Sequence, residues 1–252
     1  MRVFQRLMCW LSPTLIVYGL AYSPAAAAVA ELEFARGVVA FSQGRLPEAE
    51  AHFRQVLAEQ PENPQATNYL GQVQLGLGKL TEAIDSFRKA ISLRPDDAAV
   101  HMDLALALIK AERIPEALEE LSRVRTQLSD RASLHYYMGY CSYRLGRLQD
   151  ALAPLQQAQQ LDQGFAAAAG YYLGLVHYHL GESEQATRQF SELSHKDSAG
   201  YSALARQNLA ILEQGAFARA EKRYFLYAQV GGGYDSNVTL DGADSRDRKS
   251  VV

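Results

Sequence analysis

Small and apolar residues recur along most of this chain at an interval of 34 residues. One series consists of glycine or alanine, a second of alanine, and a third of a large apolar residue. The three series are Gly37, Gly71, Ala105, Gly139; Ala49, Ala83, Ala117, Ala151; and Phe53, Phe87, Leu121, Leu155. A fifth copy follows after one extra residue, with Gly174, Gly181, Ala186 and Phe190 in the same relative places. The pattern predicts five copies of one structural unit over residues 31–200.

Each copy is predicted to hold two helices joined by a tight turn. In residues 64–97, the small residue Gly71 lets the paired helices approach closely, and the aromatic Phe87 is expected to pack toward the next copy. Pro95 ends the second helix because proline cannot continue one. No copy buries its apolar face alone, so the stack itself is the core. The last copy then needs a cap, for which we predict a helix over residues 201–222.

This period, with small, aromatic and proline residues at these spacings, resembles the tetratricopeptide repeat. The resemblance implies an all-α fold, a right-handed superhelical solenoid of five tetratricopeptide repeats with a capping helix. It also implies a protein–protein interaction domain whose first helices line a concave surface. The lysine and asparagine arrangement by which chaperone-binding repeats hold a C-terminal carboxylate is missing from this sequence.

The N-terminal segment, residues 1–30, has the pattern of a secretory signal peptide. Two arginines precede an apolar stretch over residues 7–22, and an alanine-rich run over residues 25–30 follows. This order predicts cleavage after Ala30 or, alternatively, after Ala28. An uncleaved membrane anchor is the other interpretation, and the proline and the alanine-rich exit favour the signal peptide. We therefore expect a protein of the periplasm or outer membrane.

The net charge and the cysteine content bear on two questions, whether nucleic acid is a partner and whether disulfide bonds form. The net charge of −3 becomes −5 if Arg2 and Arg6 leave with the signal peptide, which argues against nucleic acid as a partner. Cys141 would then be the single cysteine, so no disulfide is expected. Its counterpart in the second copy is Val73, which predicts a small buried side chain at this position and not a reactive thiol.

Near the C-terminus the period of the pattern changes from that of a helix to two. Tyr224 to Tyr234 is 11 residues, about the length of a tilted membrane strand, and residues 235–237 are predicted to form a polar turn. A repeat array followed by residues 232–238, Gly-Gly-Tyr-Asp-Ser-Asn-Val, resembles the opening of an outer-membrane barrel in repeat-porin proteins such as the surface lipoprotein assembly modifiers. Complete barrels need upwards of ~80 residues, so we interpret residues 223–252 as the start of a barrel in a longer protein.

The sequence assembles no catalytic, metal or cofactor site. His177 and His179 lie two apart on a predicted helix, so they point about 200° apart and cannot share a metal. His101 and His135 occupy equivalent positions in adjacent copies, where hydrogen-bonded, partly buried histidines are favoured over a metal pair. We therefore expect no enzyme activity and no cofactor.

Aromatic residues concentrate in the first helices of the fourth and fifth copies, at positions expected to face the concave groove. A tyrosine offers a stiff apolar plate with a polar tip, which suits peptide segments or sugar rings. The predicted partner-binding residues are Tyr136, Tyr137, Tyr140, Tyr143, Arg144, Tyr171, Tyr172, Tyr178 and His179. The other interpretation is that some of these tyrosines pack between neighbouring repeats.

Together these patterns predict a periplasmic interaction domain that recruits a client to an outer-membrane barrel. The client would be an exported protein or part of a polysaccharide-export machinery. The alternative is a soluble periplasmic scaffold without a barrel, whose strand extends the sheet of a partner.

Overall fold

The computed structural model describes residues 24–195 and 200–213 and two strands at 225–231 and 235–241. The described helices are α1 (Pro24–Ser42), α2 (Leu46–Glu59), α3 (Pro64–Gly76), α4 (Leu80–Leu93), α5 (Ala98–Lys110), α6 (Ile114–Arg123), α7 (Ala132–Arg144), α8 (Leu148–Leu161), α9 (Gln163–His179), α10 (Ser183–Ser194) and α11 (Tyr201–Glu213). The strands are β1 (Phe225–Gly231) and β2 (Asp235–Asp241). Most of the predicted signal peptide and the second half of the predicted capping helix lie outside the described residues.

The helices form five consecutive pairs followed by a single helix. The members of α1–α2, α3–α4, α5–α6, α7–α8 and α9–α10 pack against each other, and α11 packs against α9 and α10. These pairs coincide with the copies predicted from the 34-residue interval, so the predicted helical repeat array is confirmed. The chain divides into two compact units at residues 1–95 and 96–252. The first unit holds α1–α4, and the second holds α5–α11.

Pairs close where a small residue of the first helix meets a large apolar residue of the second. A Cβ atom at Gly71 would lie 2.7 Å from Cε1 of Phe87, and one at Gly174 would lie 2.5 Å from Cε1 of Phe190. The same relation joins Gly37 to Phe53 and Gly139 to Leu155. Glycine therefore permits the predicted close approach. Phe87, which we expected to pack toward the next copy, fills the space beside Gly71 within its own pair, because the missing side chain leaves room for the ring.

The turn inside a pair uses a left-handed backbone position. The four glycines at this position, Gly44, Gly78, Gly146 and Gly181, have φ angles of 72°, 74°, 71° and 78°. Glycine adopts this conformation without steric cost. In the third pair the same position is Glu112, with φ 59°. The conformation costs a residue with a Cβ atom roughly 1–2 kcal/mol, so the third turn is strained where the others are not.

Local chemistry sets the ends of the helices. Asn63 caps α3, because its Oδ1 accepts a hydrogen bond from the N–H of Ala66 at 3.0 Å. Pro64 then occupies the first turn, where its missing N–H has no helical partner to lose. At the other end of this repeat, α4 stops at Leu93, just before Pro95.

Cys141 lies in α7, where it is fully buried and free of any disulfide. Burial raises the pKa of its thiol from 9.0 to about 12. The prediction of a small buried side chain, made from the counterpart Val73, is therefore confirmed.

The N-terminal helix α1 starts at Pro24 and runs through both predicted cleavage positions. Cleavage would leave it to begin after Ala28 or Ala30, and that cleavage stays a prediction. Within the part of the chain that the structure describes, no helix combines the length and apolarity needed to cross a membrane.

The two strands pair in antiparallel fashion, with Gly231 opposite Asp235 at one end of the ladder. β1 covers the centre of the strand predicted over residues 224–234, whose remaining residues lie outside the described part. Residues 235–237 belong to β2, so the predicted polar turn is wrong there. The physical reason is that their backbone continues the ladder with β1.

Candidate functional site

Five of the predicted partner-binding tyrosines lie in the interior of the second unit. They are Tyr136, Tyr137 and Tyr140 of α7 and Tyr171 and Tyr172 of α9, and all five are buried. Tyr172 is central, because its ring centroid lies 5.2 Å from that of Tyr140 and 6.1 Å from that of Tyr136. The ring of Tyr171 lies 5.6 Å from that of Tyr201 in α11. The cluster therefore joins the first helices of two repeats to the last described helix.

These five tyrosines do not line an open groove in this structure. The reason is that α9 contacts α7, α8, α10 and α11 at once, which covers most of its surface. Packing between repeats, the interpretation that the sequence left open, describes their position. We therefore correct the predicted site: Tyr136, Tyr137, Tyr140, Tyr171 and Tyr172 are core residues here.

The hydroxyl groups of the buried tyrosines differ in their partners. The hydroxyl of Tyr140 accepts a hydrogen bond from Nη1 of Arg144 at 2.7 Å, and the hydroxyl of Tyr171 accepts one from Nδ2 of Asn208 at 3.2 Å. Among the described residues, no group hydrogen-bonds to the buried hydroxyls of Tyr136 and Tyr172. Burial raises the pKa of both phenols well above the usual value, so they stay neutral at any physiological pH.

The remaining four predicted residues form what we call the rim: Tyr143, Arg144, Tyr178 and His179. They lie at the C-terminal ends of α7 and α9. His179 is exposed, Tyr143 and Tyr178 are half-buried, and the side chain of Arg144 is mostly buried. The hydroxyl of Tyr143 lies 3.4 Å from Nε2 of His179, and the ring of Tyr178 lies 5.1 Å from the imidazole of His179. The structure thus brings together aromatic and charged side chains from two repeats where solvent reaches them.

Arg144 organises the polar part of the rim. Its Nη2 donates to Oε2 of Glu112 at 2.6 Å, and its guanidinium lies over the ring of Tyr140 at 5.7 Å from the centroid. The side chain of Arg144 is only 11% exposed, whereas that of Glu112 is 52% exposed. A charged, planar group held this way can bind a carboxylate with directed hydrogen bonds.

Both buried histidines, His101 and His135, have a hydrogen-bond partner, and for His101 that partner lies on the other helix of its repeat. Nδ1 of His101 lies 2.7 Å from Oε2 of Glu120, and Nε2 of His135 lies 2.8 Å from the carbonyl oxygen of Ser129. The prediction of hydrogen-bonded histidines is confirmed. In the first repeat, Glu33 and His52 occupy the positions of His101 and Glu120 and lie 2.6 Å apart, with acid and base exchanged. We missed this pair, although the repeat alignment places its members opposite each other.

No cluster for a metal is present in the part of the chain that the structure describes. No group of three or more histidine, cysteine, aspartate or glutamate side chains is placed to hold an ion there. An open hollow of about 500 Å³ lies on the first unit, lined by Ala35, Arg36, Val39, Arg45, Glu48 and His52. Its arginines are already paired, Arg45 with Glu48 of the lining and Arg36 with Glu33 one turn earlier on α1.

Solved structures of similar fold cover most of the helical array. MamA 41-end from Desulfovibrio magneticus RS-1 is 20% identical, with a TM-score of 0.62 over 65% of this chain and 92% of that chain. YrrB, described as a TPR protein with an unusual peptide-binding site, is 20% identical, with a TM-score of 0.60 over 73% and 90%. A thermophilic TPR protein of Thermus thermophilus is 22% identical, with a TM-score of 0.51 over 73% and 99%. At these identities the likeness shows the fold.

Comparison of the sequence with family models also indicates tetratricopeptide repeats. Models described as tetratricopeptide repeat match residues 34–98, 74–138 and 167–192. No curated protein sequence matches the chain. The resemblance to repeat-porin proteins is not among these findings and stays a prediction. The matched segments, the helix pairs and the structural neighbours together show that this chain is a tetratricopeptide-repeat protein, a class whose domains generally mediate protein–protein interaction.

Proposed function

We propose that this protein is a periplasmic interaction domain that binds a polypeptide client at the rim and recruits it to an outer-membrane barrel. The rim carries the proposal, because two adjacent repeats of a protein-binding class bring an exposed histidine, two partly exposed tyrosines and a charged arginine together at one place. Tyrosine and arginine are, with tryptophan, the residues enriched among the energetic anchors of interfaces. The client would be an exported protein or a component of polysaccharide export, and the domain would act by binding and not by catalysis.

The location is inferred from the two ends of the chain. Residues 1–30 have the order of charge, apolar stretch and small-residue exit that exported proteins carry. At the other end, β1 and β2 pair as an antiparallel hairpin, which is the unit from which outer-membrane barrels are built. Both features support a path through the inner membrane toward the outer one.

Fractionation of the full-length product tests the location. We expect the protein in the outer-membrane fraction, in a form whose mobility on a gel changes when the sample is heated. Recovery in the soluble periplasmic fraction without such a form would favour the alternative, a periplasmic scaffold that uses β1 to extend the sheet of a partner. Recovery in the cytoplasm would contradict both.

A rim variant tests the binding. We expect Tyr143→Ala with Tyr178→Ala to reduce capture of the client from envelope extract by about tenfold or more, since interface anchors typically cost ~2 kcal/mol each when truncated. The matched control is Leu161→Ala, which removes an exposed apolar side chain, 46% accessible, elsewhere in the same unit. Equal capture by the two variants, with equal helical content, would contradict binding at the rim.

A further inference from the structure

In the third, fourth and fifth repeats, the last turn of the first helix of the pair carries a basic residue that the first two repeats lack. Lys110, Arg144 and His179 occupy the same repeat position in the third, fourth and fifth copies. The first two copies carry Ser42 and Gly76 there. We call the three residues the basic row. Three nitrogen donors at one repeat position stand out in a chain whose net charge is −3.

Two side-chain contacts and one short step along the chain connect the members of the basic row. Lys110 lies two residues before Glu112, whose carboxylate accepts a hydrogen bond from Arg144 at 2.6 Å. Tyr143, the neighbour of Arg144, reaches His179 through its hydroxyl at 3.4 Å. The row therefore runs along the ends of α5, α7 and α9 within the second unit.

The centre of the row already holds a carboxylate. Glu112 supplies it from the left-handed turn position, with φ 59°, where the other four repeats have glycine. A Cβ atom at those four glycines would meet nothing within 4 Å, so the side chain at this position is not needed to fill space. The side chain of Glu112 is 52% exposed. A second carboxylate can therefore reach Arg144 by displacing a group that solvent already surrounds.

Lys110 adds a cation that has no acidic partner among the described residues. Its side chain is half-buried, and burial lowers the pKa of its ammonium group. An ammonium group that has lost part of its hydration gains more from a carboxylate than one in bulk water does. A carboxylate brought by a partner would therefore meet a cation that is both accessible and poorly hydrated.

We propose that the basic row binds an extended acidic segment of the partner polypeptide. Its carboxylates would contact Lys110, Arg144 and His179 in successive repeats, and one of them would replace Glu112 on Arg144. The proposal rests on the proposed function, since it names the chemistry of the client that docks beside the rim. Glu112 then competes with the partner for Arg144. This competition weakens the binding of segments with a single carboxylate and favours segments whose several carboxylates contact the basic row at once.

Fluorescence anisotropy of a labelled peptide of ten glutamates, titrated with the full-length protein, tests the proposal. We expect binding that weakens with added salt, and a loss of about threefold or more in affinity for Lys110→Gln. Glu112→Gly restores the residue of the other four turns, so it keeps the fold, and we expect it to raise the affinity by a similar factor. The matched control is Arg125→Gln, an exposed arginine of the same unit outside the row, which should change nothing.

Peptides of ten lysines and of ten alternating glycines and serines separate charge recognition from general peptide binding. Equal or tighter binding of either, or weaker glutamate binding by Glu112→Gly, would overturn the proposal. So would equal losses in Lys110→Gln and Arg125→Gln. If the row variants leave glutamate binding unchanged while the Tyr143 and Tyr178 variant still loses the envelope client, the basic row is wrong and the rim function stands. If the rim variant keeps its client, the proposed function fails on its own.

Discussion

At the scale of the residue, equivalent repeat positions serve different purposes according to the side chain that occupies them. The turn position is glycine in four repeats and a strained glutamate in the third, where the side chain binds Arg144. The interhelical position pairs Glu33 with His52 in the first repeat and His101 with Glu120 in the third. The repeat thus determines where a polar pair lies between two helices, and the individual residues determine its charge.

Tyr171 and Tyr172 give a matched test of buried hydroxyl groups. Tyr172→Phe removes a hydroxyl without a described partner, so we expect the free energy of unfolding to stay the same or to rise by up to ~1 kcal/mol. Tyr171→Phe removes the acceptor of Asn208 and should lower it by about 1 kcal/mol. Urea unfolding followed by circular dichroism measures both. An equal loss in the two variants would show that the Tyr172 hydroxyl has a partner, such as a buried water.

The Cys141 thiol should be inert in the folded protein and should make stability depend on pH. Because burial raises its pKa from 9.0 to about 12, the folded thiol stays protonated where the unfolded one ionises. The unfolded state is therefore favoured as the pH rises between those values. We expect iodoacetamide to label Cys141 at pH 8 far more slowly in buffer than in urea. Rapid labelling of the folded chain would contradict the buried position.

At the scale of the element, the helix pairs could be predicted because the contacts that define them are local. Gly71 and Phe87 are 16 residues apart, and one turn brings them together. The burial of Tyr136 and Tyr172 could not be predicted in the same way. It depends on how many helices cover α9, and α11, which contributes Tyr201 to the cluster, lies about a full repeat further along. From the sequence alone, a tyrosine on a first helix is compatible with the exposed groove and with the buried contact between repeats. The positions of the neighbouring helices decide between the two.

Gly71→Leu tests the contact that closes a helix pair. A Cβ atom at Gly71 would lie only 2.7 Å from the Phe87 ring, so the added carbons must force the helices apart. We expect a loss of ~1–3 kcal/mol in the free energy of unfolding, as overpacked cores typically show. Ser92→Leu, at an exposed position of α4, is the control and should cost little. A thermal melt that Gly71→Leu leaves unchanged would show that the alignment of the repeats is wrong.

At the scale of the whole molecule, the last repeat of an array has no further repeat to bury its apolar face, so another element must cover it. Within the second unit each pair packs against the next, so the final pair, α9–α10, depends on α11. Tyr201 and Ala205 of α11 are buried, and Asn208 donates the hydrogen bond that satisfies Tyr171. The same helix that stabilises the array also keeps the tyrosine cluster away from solvent.

Removal of α11 therefore tests the cap and the origin of the buried cluster together. We expect a chain that ends at Gly200 to lose about 2–4 kcal/mol in the free energy of unfolding, since Tyr201 and the half-buried leucines of α11 no longer bury their area. The control is a chain that ends at Glu213, which keeps α11 and should match the full-length protein. Amide hydrogen exchange locates the effect: protection should fall in α9 and α10 and persist in α1–α4, because a repeat array loosens first at the exposed end. Uniform loss along the chain, or none, would contradict a capping role for α11.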